Sequence, residues 1–183
     1  MDKFHLNARE TLLVIIDIQE RLAAAMAEKE RVLANVLHLI ELAKLHHIPI
    51  LLTEQFPRGL GPTLKEIKES LPAYEPFEKV SFNCCREEGF PAHLAAAGRK
   101  KVLLTGMETH ICILQTALGL LEEEYDVHVI QDAVCSRTTN NSQVGIEFLR
   151  DAGAVITTTE TVLFQILEKA GTEEFRAISK RIK

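Results

Sequence analysis

The stretch LLTGMETHICILQTA, Leu103 to Ala117, is apolar up to one glycine and then sets Cys112 in the first turn of a segment with helical spacing. A thiol at such a place feels the positive end of the helix dipole and the unpaired N–H groups of the first turn, which favour its thiolate. A lysine alongside deepens that effect, and a carboxylate can accept the thiol proton. Asp17, which terminates the apolar run LLVIID, and Lys79, within EPFEKVSF, are of the right types. Acid, base and nucleophile for covalent hydrolysis are therefore present. Many other polar residues also follow apolar runs, among them Gln19, Glu54, Gln55, Glu108, Asp132 and Arg137, so spacing alone does not single out the trio.

The elements that must bring such residues together alternate along the chain. TLLVIID, IPILLTE, KVLLTG, YDVHVIQD and AVITT are short apolar runs of strand character, and EPFEKVSF is a further short strand. Between them lie segments of helical spacing: ERVLANVLHLIELAKLHH, a brief one over 63–70, another over 90–97, THICILQTALGLLEE and NSQVGIEFLRDAG. Two helices close the chain, the second opening at Thr172 as N-cap with Glu173 and Glu174 in its first turn. Alternation of this kind predicts the α/β class, a three-layer α/β/α sandwich around a six-stranded, mainly parallel sheet. Ligands of such sheets bind beyond the carboxyl ends of the strands, where strand order reverses. The residues just after each strand are thus the candidates.

At 183 residues, with no linker, repeat or low-complexity tract, the chain reads as a single domain over 1–183. Its 26 acidic and 21 basic residues give a formal net charge of −5, and no Lys/Arg cluster appears, which argues against nucleic acid as a partner and for a small molecule. The first apolar run, Leu12 to Ile16, is too short for a membrane span, so no membrane association is expected and the cytoplasm is the expected compartment. Cys84, Cys85, Cys112 and Cys135 have no C-x-x-C spacing, in keeping with free thiols in a reducing compartment.

Four segments, in order, resemble the isochorismatase-like hydrolases, also called the cysteine hydrolase superfamily: LLVIIDIQE, EKVSFNCC, GMETHICILQTA and DAVCSR. LLTEQFPRGLGPT further resembles the subgroup called isochorismatase domain-containing proteins. The resemblance spans Thr11 to Leu167 and implies a Rossmann-like strand order, a homo-oligomer (dimer or tetramer) and no cofactor. It implies Cys112 as nucleophile, Asp17 as general base and acid, and Lys79 as the group that holds the aspartate and stabilises negative charge. It further implies a cis peptide between Met107 and Glu108, with the Glu108 and Cys112 N–H groups forming an oxyanion hole. The implied reaction is metal-independent hydrolysis of a small amide or related C–N bond through a thioester. The alternatives are enol-ether hydrolysis of the isochorismatase type, or a ligand-binding or scaffold protein that keeps the fold.

The chain departs from the family's metal-binding amidases. Those carry an aspartate and two histidines after the second strand, whereas TEQFPRGLG has no histidine, so no metal is expected. His46 and His47 precede that strand and read as helix caps. Gln19, Glu54, Gln55, Phe56 and Phe82 are expected to line the substrate pocket, with Gln19 also a candidate for hydrogen bonds within the site. Cys84, Cys85 and Cys135 read first as core filler. Thr109 and His110 are expected to have structural roles such as helix capping in preference to proton transfer, and Asp132 and Arg137 to form a buried ion pair, the alternative being that they reach the substrate. Glu124 stands where the family has glycine, which implies a left-handed residue. The apolar run TVLFQIL exceeds one core-facing stripe and reads as a subunit interface.

Overall fold

The computed structural model describes residues 2–182. After a short 3₁₀ turn, the chain alternates β1 (Thr11–Ile16), α1 (Glu20–Ala24), α2 (Lys29–Leu45), β2 (Ile50–Gln55), α3 (Pro57–Leu60), α4 (Lys65–Ser70), β3 (Phe77–Lys79) and α5 (Phe90–Ala97). It continues through β4 (Lys101–Met107), a wide π-type turn (Thr109–Ile113), α6 (Leu114–Glu122), β5 (Asp126–Cys135), α7 (Thr139–Asp151), β6 (Val155–Thr157), α8 (Thr159–Leu167) and α9 (Glu173–Ser179). The strands form one six-stranded sheet of order β3-β2-β1-β4-β5-β6, with every neighbouring pair parallel. The expected three-layer α/β/α class and Rossmann-like order are both present.

The layers follow from the alternation of side chains along the central strand. Leu13 and Ile15 of β1 join the core under α2, α8 and α9, whereas Leu12, Val14 and Ile16 join the core under α5, α6 and α7. Both faces of β1 are buried, which is why its sequence is continuously apolar. Thr172 caps α9 by accepting from the Phe175 N–H at 3.0 Å, and Glu124 does take a left-handed conformation, φ 60°. The short helices α1 and α3 have no apolar periodicity, and nothing in the sequence announces them.

One reading is corrected. β5 runs past Asp132 to Cys135, because its pairing with β4 slips between Leu104 and Gly106 and the strand absorbs the extra residues as an irregularity. Of the apolar run TVLFQIL, Val162, Leu163, Ile166 and Leu167 are buried in the core, whereas Phe164 is exposed and rests edge-on against Phe175.

Strand order reverses between β1 and β4, and these two strands lie unusually close at their carboxyl ends. A Cβ on Gly106, where φ is 120°, would stand 1.9 Å from the Ile16 carbonyl oxygen. Only glycine lets β4 approach β1 there. Gly106→Ala is expected to lower folding stability by more than about 4 kcal/mol, read by urea unfolding; a loss near zero would contradict the contact.

Candidate active site

Asp17 leaves β1 in a left-handed conformation, φ 54°, one that aspartate tolerates better than most residues. Its side chain is fully buried. Oδ1 accepts from the Thr53 hydroxyl at 2.7 Å, and Oδ2 accepts from Lys79 Nζ at 2.8 Å. Lys79 ends the edge strand β3, two strands from β1, so β2 must bridge the gap. Thr53 and Gln55 of β2 are two residues apart and share one face of the sheet. Thr53 holds the aspartate, and Gln55, directly opposite Lys79 in register, accepts from its ammonium at 2.6 Å. The third direction of the ammonium is taken by the Ser81 carbonyl oxygen at 3.3 Å.

Cys112 lies in the turn between β4 and α6, only 5% exposed and near enough to Asp17 and Lys79 for both charges to act on its thiol. Burial pushes this thiol upward, the Asp17 charge adds to the rise, and Lys79 opposes it without winning. The expected depression by helix dipole and lysine is thus overturned. A neighbouring carboxylate and a dry site outweigh the first turn of a helix. For Lys79, burial alone would favour the neutral amine, but the Asp17 charge and the hydrogen bond to it prevail and raise its pKa. Cys84 is a second buried thiol beside this group, pushed up to about 12 by burial; its N–H donates to Thr116 Oγ1 at 3.0 Å, one turn beyond Cys112. Cys85 and Cys135 pack in the second and first cores respectively.

The peptide between Met107 and Glu108 is cis. The Glu108 carboxylate is buried and accepts from the Arg137 N–H at 2.9 Å and from its guanidinium at 3.1 Å. Asp132 does not meet Arg137: its Oδ1 accepts from the Thr159 N–H and hydroxyl at 2.8 and 2.9 Å, because the lengthened β5 turns it toward α8. His110 pairs with Ser136 at 2.9 Å and Thr109 with Ser142 at 3.1 Å, tying the turn to the end of β5 and to α7. Gly145 of α7 allows this closeness, since a Cβ there would meet the His110 backbone at 3.2 Å.

Of the residues expected to face substrate, three are used internally. Gln19 is buried, donating to the Gln55 and Gly61 carbonyls and accepting from the Gln55 N–H. Gln55 completes the lysine site and donates to the Val80 carbonyl at 2.7 Å. Glu54 points to the opposite face, where Oε1 accepts from the Thr63 N–H, the Thr63 hydroxyl and Tyr74. Polar side chains at a strand end are held by the loop that folds over them, so they support the site from behind. Phe56 and Phe82 remain half exposed, and Phe56 lines a cleft of about 330 Å³ with Pro57, Arg58, Lys79, Val80 and Glu87. The Phe56 ring lies so close over Gly59 that a Cβ there would be 2.4 Å from it. Thr53 was not anticipated; its one signal is a hydroxyl at the point where β2, ILLTEQ, turns from apolar to polar.

The place where related amidases carry their metal does not fit one here. Its one carboxylate, Glu54, already accepts three hydrogen bonds on one oxygen, and no group of three His, Cys, Asp or Glu side chains gathers among the described residues. His46 caps α2 at the far end of the strand.

The sequence pattern of the isochorismatase domain matches residues 11–161. The chain belongs to the isochorismatase family. Within it, the chain is 39% identical over 178 residues to the secreted isochorismatase effector Isc1 of Phytophthora sojae, covering 94% of this chain and 84% of that one. It is 33% identical over 175 residues to isochorismatase domain-containing protein 2 of Danio rerio, covering 96% and 88%, which places it in that subgroup. The solved MAR1 ribonuclease structure of Caenorhabditis elegans superposes with TM-score 0.89 at 32% identity, covering 97% and 92%. The YcaC product of Escherichia coli, described as an octameric hydrolase of unknown specificity, superposes at 0.90 with 24% identity, covering 97% and 90%. A hydrolase fold of the isochorismatase family is therefore established. Among the described residues no helix is long and apolar enough to cross a membrane.

Two outcomes follow from the buried ion pair and the neutral thiol. Lys79→Met strands the Asp17 charge and is expected to destabilise the fold by about 3–5 kcal/mol, with most of the loss recovered in Asp17→Asn/Lys79→Met; equal stability of single and double variants in urea would oppose the pairing. Alkylation of Cys112 by iodoacetamide, followed by mass spectrometry, is expected to keep accelerating beyond about pH 9. A plateau near neutrality would mean that a thiolate already exists.

Proposed function

We propose that this chain is a cysteine hydrolase of small amides or related C–N bonds, working without a metal. The observation that carries the reading is the convergence of Asp17, Lys79 and Cys112, from three separate strand ends, inside one closed site. The neutral thiol gives its proton to Asp17 as sulfur attacks the carbonyl carbon, so no free thiolate need accumulate. Backbone N–H groups of Glu108 and Cys112 receive the oxyanion. The tetrahedral intermediate collapses, Asp17 returns the proton to the departing amine, and an acyl thioester remains on Cys112. Water then adds to the thioester while Asp17 takes its proton, and collapse releases the acid and restores the thiol.

Lys79 keeps the aspartate oriented and balances charge as the proton moves. With its three N–H directions occupied, it has none left for substrate. Phe56 and Phe82, both half exposed, are the proposed pocket contacts, with Gln19, Glu54 and Gln55 behind them. The chain is proposed to act as one domain in the cytoplasm, and as a homo-oligomer, for which the octameric YcaC product is the precedent. The ribonuclease name belongs to the nematode protein; a net charge of −5 favours a small substrate over a polyanion.

Wild type, Cys112→Ala and Asp17→Asn should be compared on a panel of small amides, ureas, an enol ether and an RNA oligonucleotide. Amide turnover is expected in the wild type, with Asp17→Asn lowering kcat by about 10²- to 10⁴-fold and Cys112→Ala lowering it at least as far. Turnover retained in Cys112→Ala excludes the thioester. Enol-ether cleavage that needs Asp17 but not Cys112 replaces this reading with the isochorismatase reaction, and silence across the panel favours a binding protein.

A further inference from the structure

The lysine that steadies Asp17 is itself held by a tripod of unequal legs: one carboxylate oxygen at 2.8 Å, the Gln55 amide oxygen at 2.6 Å and the Ser81 carbonyl oxygen at 3.3 Å. One leg is anionic and two are neutral. The orientation of the Gln55 amide is fixed from both ends, because its Nε2 donates to the Val80 carbonyl at 2.7 Å and so must turn Oε1 toward the ammonium. The Gln55 backbone is fixed in turn by Gln19, which accepts from its N–H at 2.7 Å and donates to its carbonyl at 3.0 Å. Gln55 is 8% exposed and Lys79 2%, so water is not available to replace this leg.

We propose that Gln55 is a positioning residue of this site, the neutral acceptor that aims Lys79 at Asp17 without adding a second negative charge beside the nucleophile. The inference rests on the reading of Cys112 as nucleophile and Asp17 as base. Its physical content is a count of charges in a dry space. A charged neighbour at Gln55 would leave two carboxylates on one ammonium, and the surplus anion would oppose ionisation of the thiol. An apolar neighbour would leave one ammonium N–H without a partner, free to swing the lysine off the aspartate. The amide is the side chain that satisfies both conditions while keeping its own donor end engaged. The titratable groups facing Lys79 are Asp17 from β1, Cys84 from the segment after β3, Cys112 from the turn after β4, and Glu87. Glu87 is exposed and accepts from the Val80 and Ser81 N–H groups, so it acts on Lys79 from the rim.

Two near-isosteric variants separate the two halves of the proposal. Gln55→Met keeps the charge count and removes the acceptor; kcat on the best amide of the panel is expected to fall about a hundredfold while KM stays close to wild type, as for a misplaced catalytic group. Its Cys112 alkylation rate at pH 8.5 should remain near that of wild type. Gln55→Glu keeps an acceptor and adds a charge; alkylation of Cys112 at pH 8.5 is expected to slow about tenfold, the effect of a like charge that raises the thiol by one unit. Wild-type kcat in Gln55→Met, or wild-type alkylation in folded Gln55→Glu, overturns the proposal. Should Gln55→Met not fold, kcat of Gln55→Glu decides: wild-type turnover overturns the proposal and a loss without change in KM supports it. The alkylation comparison needs no substrate. A wild type that hydrolyses no amide therefore defeats the functional reading alone, while the alkylation rates still judge the tripod.

Discussion

The ion pair of Asp17 and Lys79 is the constraint around which the rest of the site is arranged. Both side chains are wholly withdrawn from water, and two charges so placed are stable only if each remaining lone pair and N–H finds a partner. The sheet supplies them. β2 lies between the strands that carry the pair, and its alternation puts Thr53 and Gln55 on one face to hold the two partners, with Glu54 on the other to hold the covering loop. The bridging strand is therefore as much a part of the site as the strands on either side. β4, the other neighbour of β1, leads into the turn that carries Cys112 and so brings that thiol to the same end of the sheet.

A buried carboxylate near a buried thiol favours the neutral form of the thiol. Burial and the Asp17 charge both oppose ionisation of Cys112, and Lys79 does not outweigh them. Such a cysteine is protected from adventitious oxidation and alkylation, which act on the thiolate. In the proposed reaction it becomes nucleophilic only as its proton passes to Asp17, and the lysine keeps the total charge of the group balanced while that happens. In the proposed reaction the site is thereby quiet until a carbonyl is in place.

Which parts were legible in the sequence follows from the range of the forces involved. Asp17, Lys79 and Cys112 stand at strand ends, and the alternation of apolar runs made their elements readable one by one. The thiol's state was misread because a helix terminus is a local feature, whereas burial beside a carboxylate from another strand is not. Glu54 and Gln55 were readable as polar residues near the site but not as its supports, since a glutamine facing substrate and one bonded to a lysine behind the site look alike in one dimension. Asp132 was misassigned for a related reason: the irregularity in β5 that turns it toward Thr159 exists only because β5 must keep pace with β4.

The amino-acid sequence by itself determined the α/β class, the order of strands and helices and the chemical types available at the strand ends, because these depend on periodicity and on residue identity over short spans. The tertiary structure decided which of those residues meet, how the lysine's three N–H groups are divided, and that burial and the Asp17 charge push the thiol upward. Those outcomes depend on exclusion of water and on contacts between residues dozens of positions apart, and no local pattern encodes either.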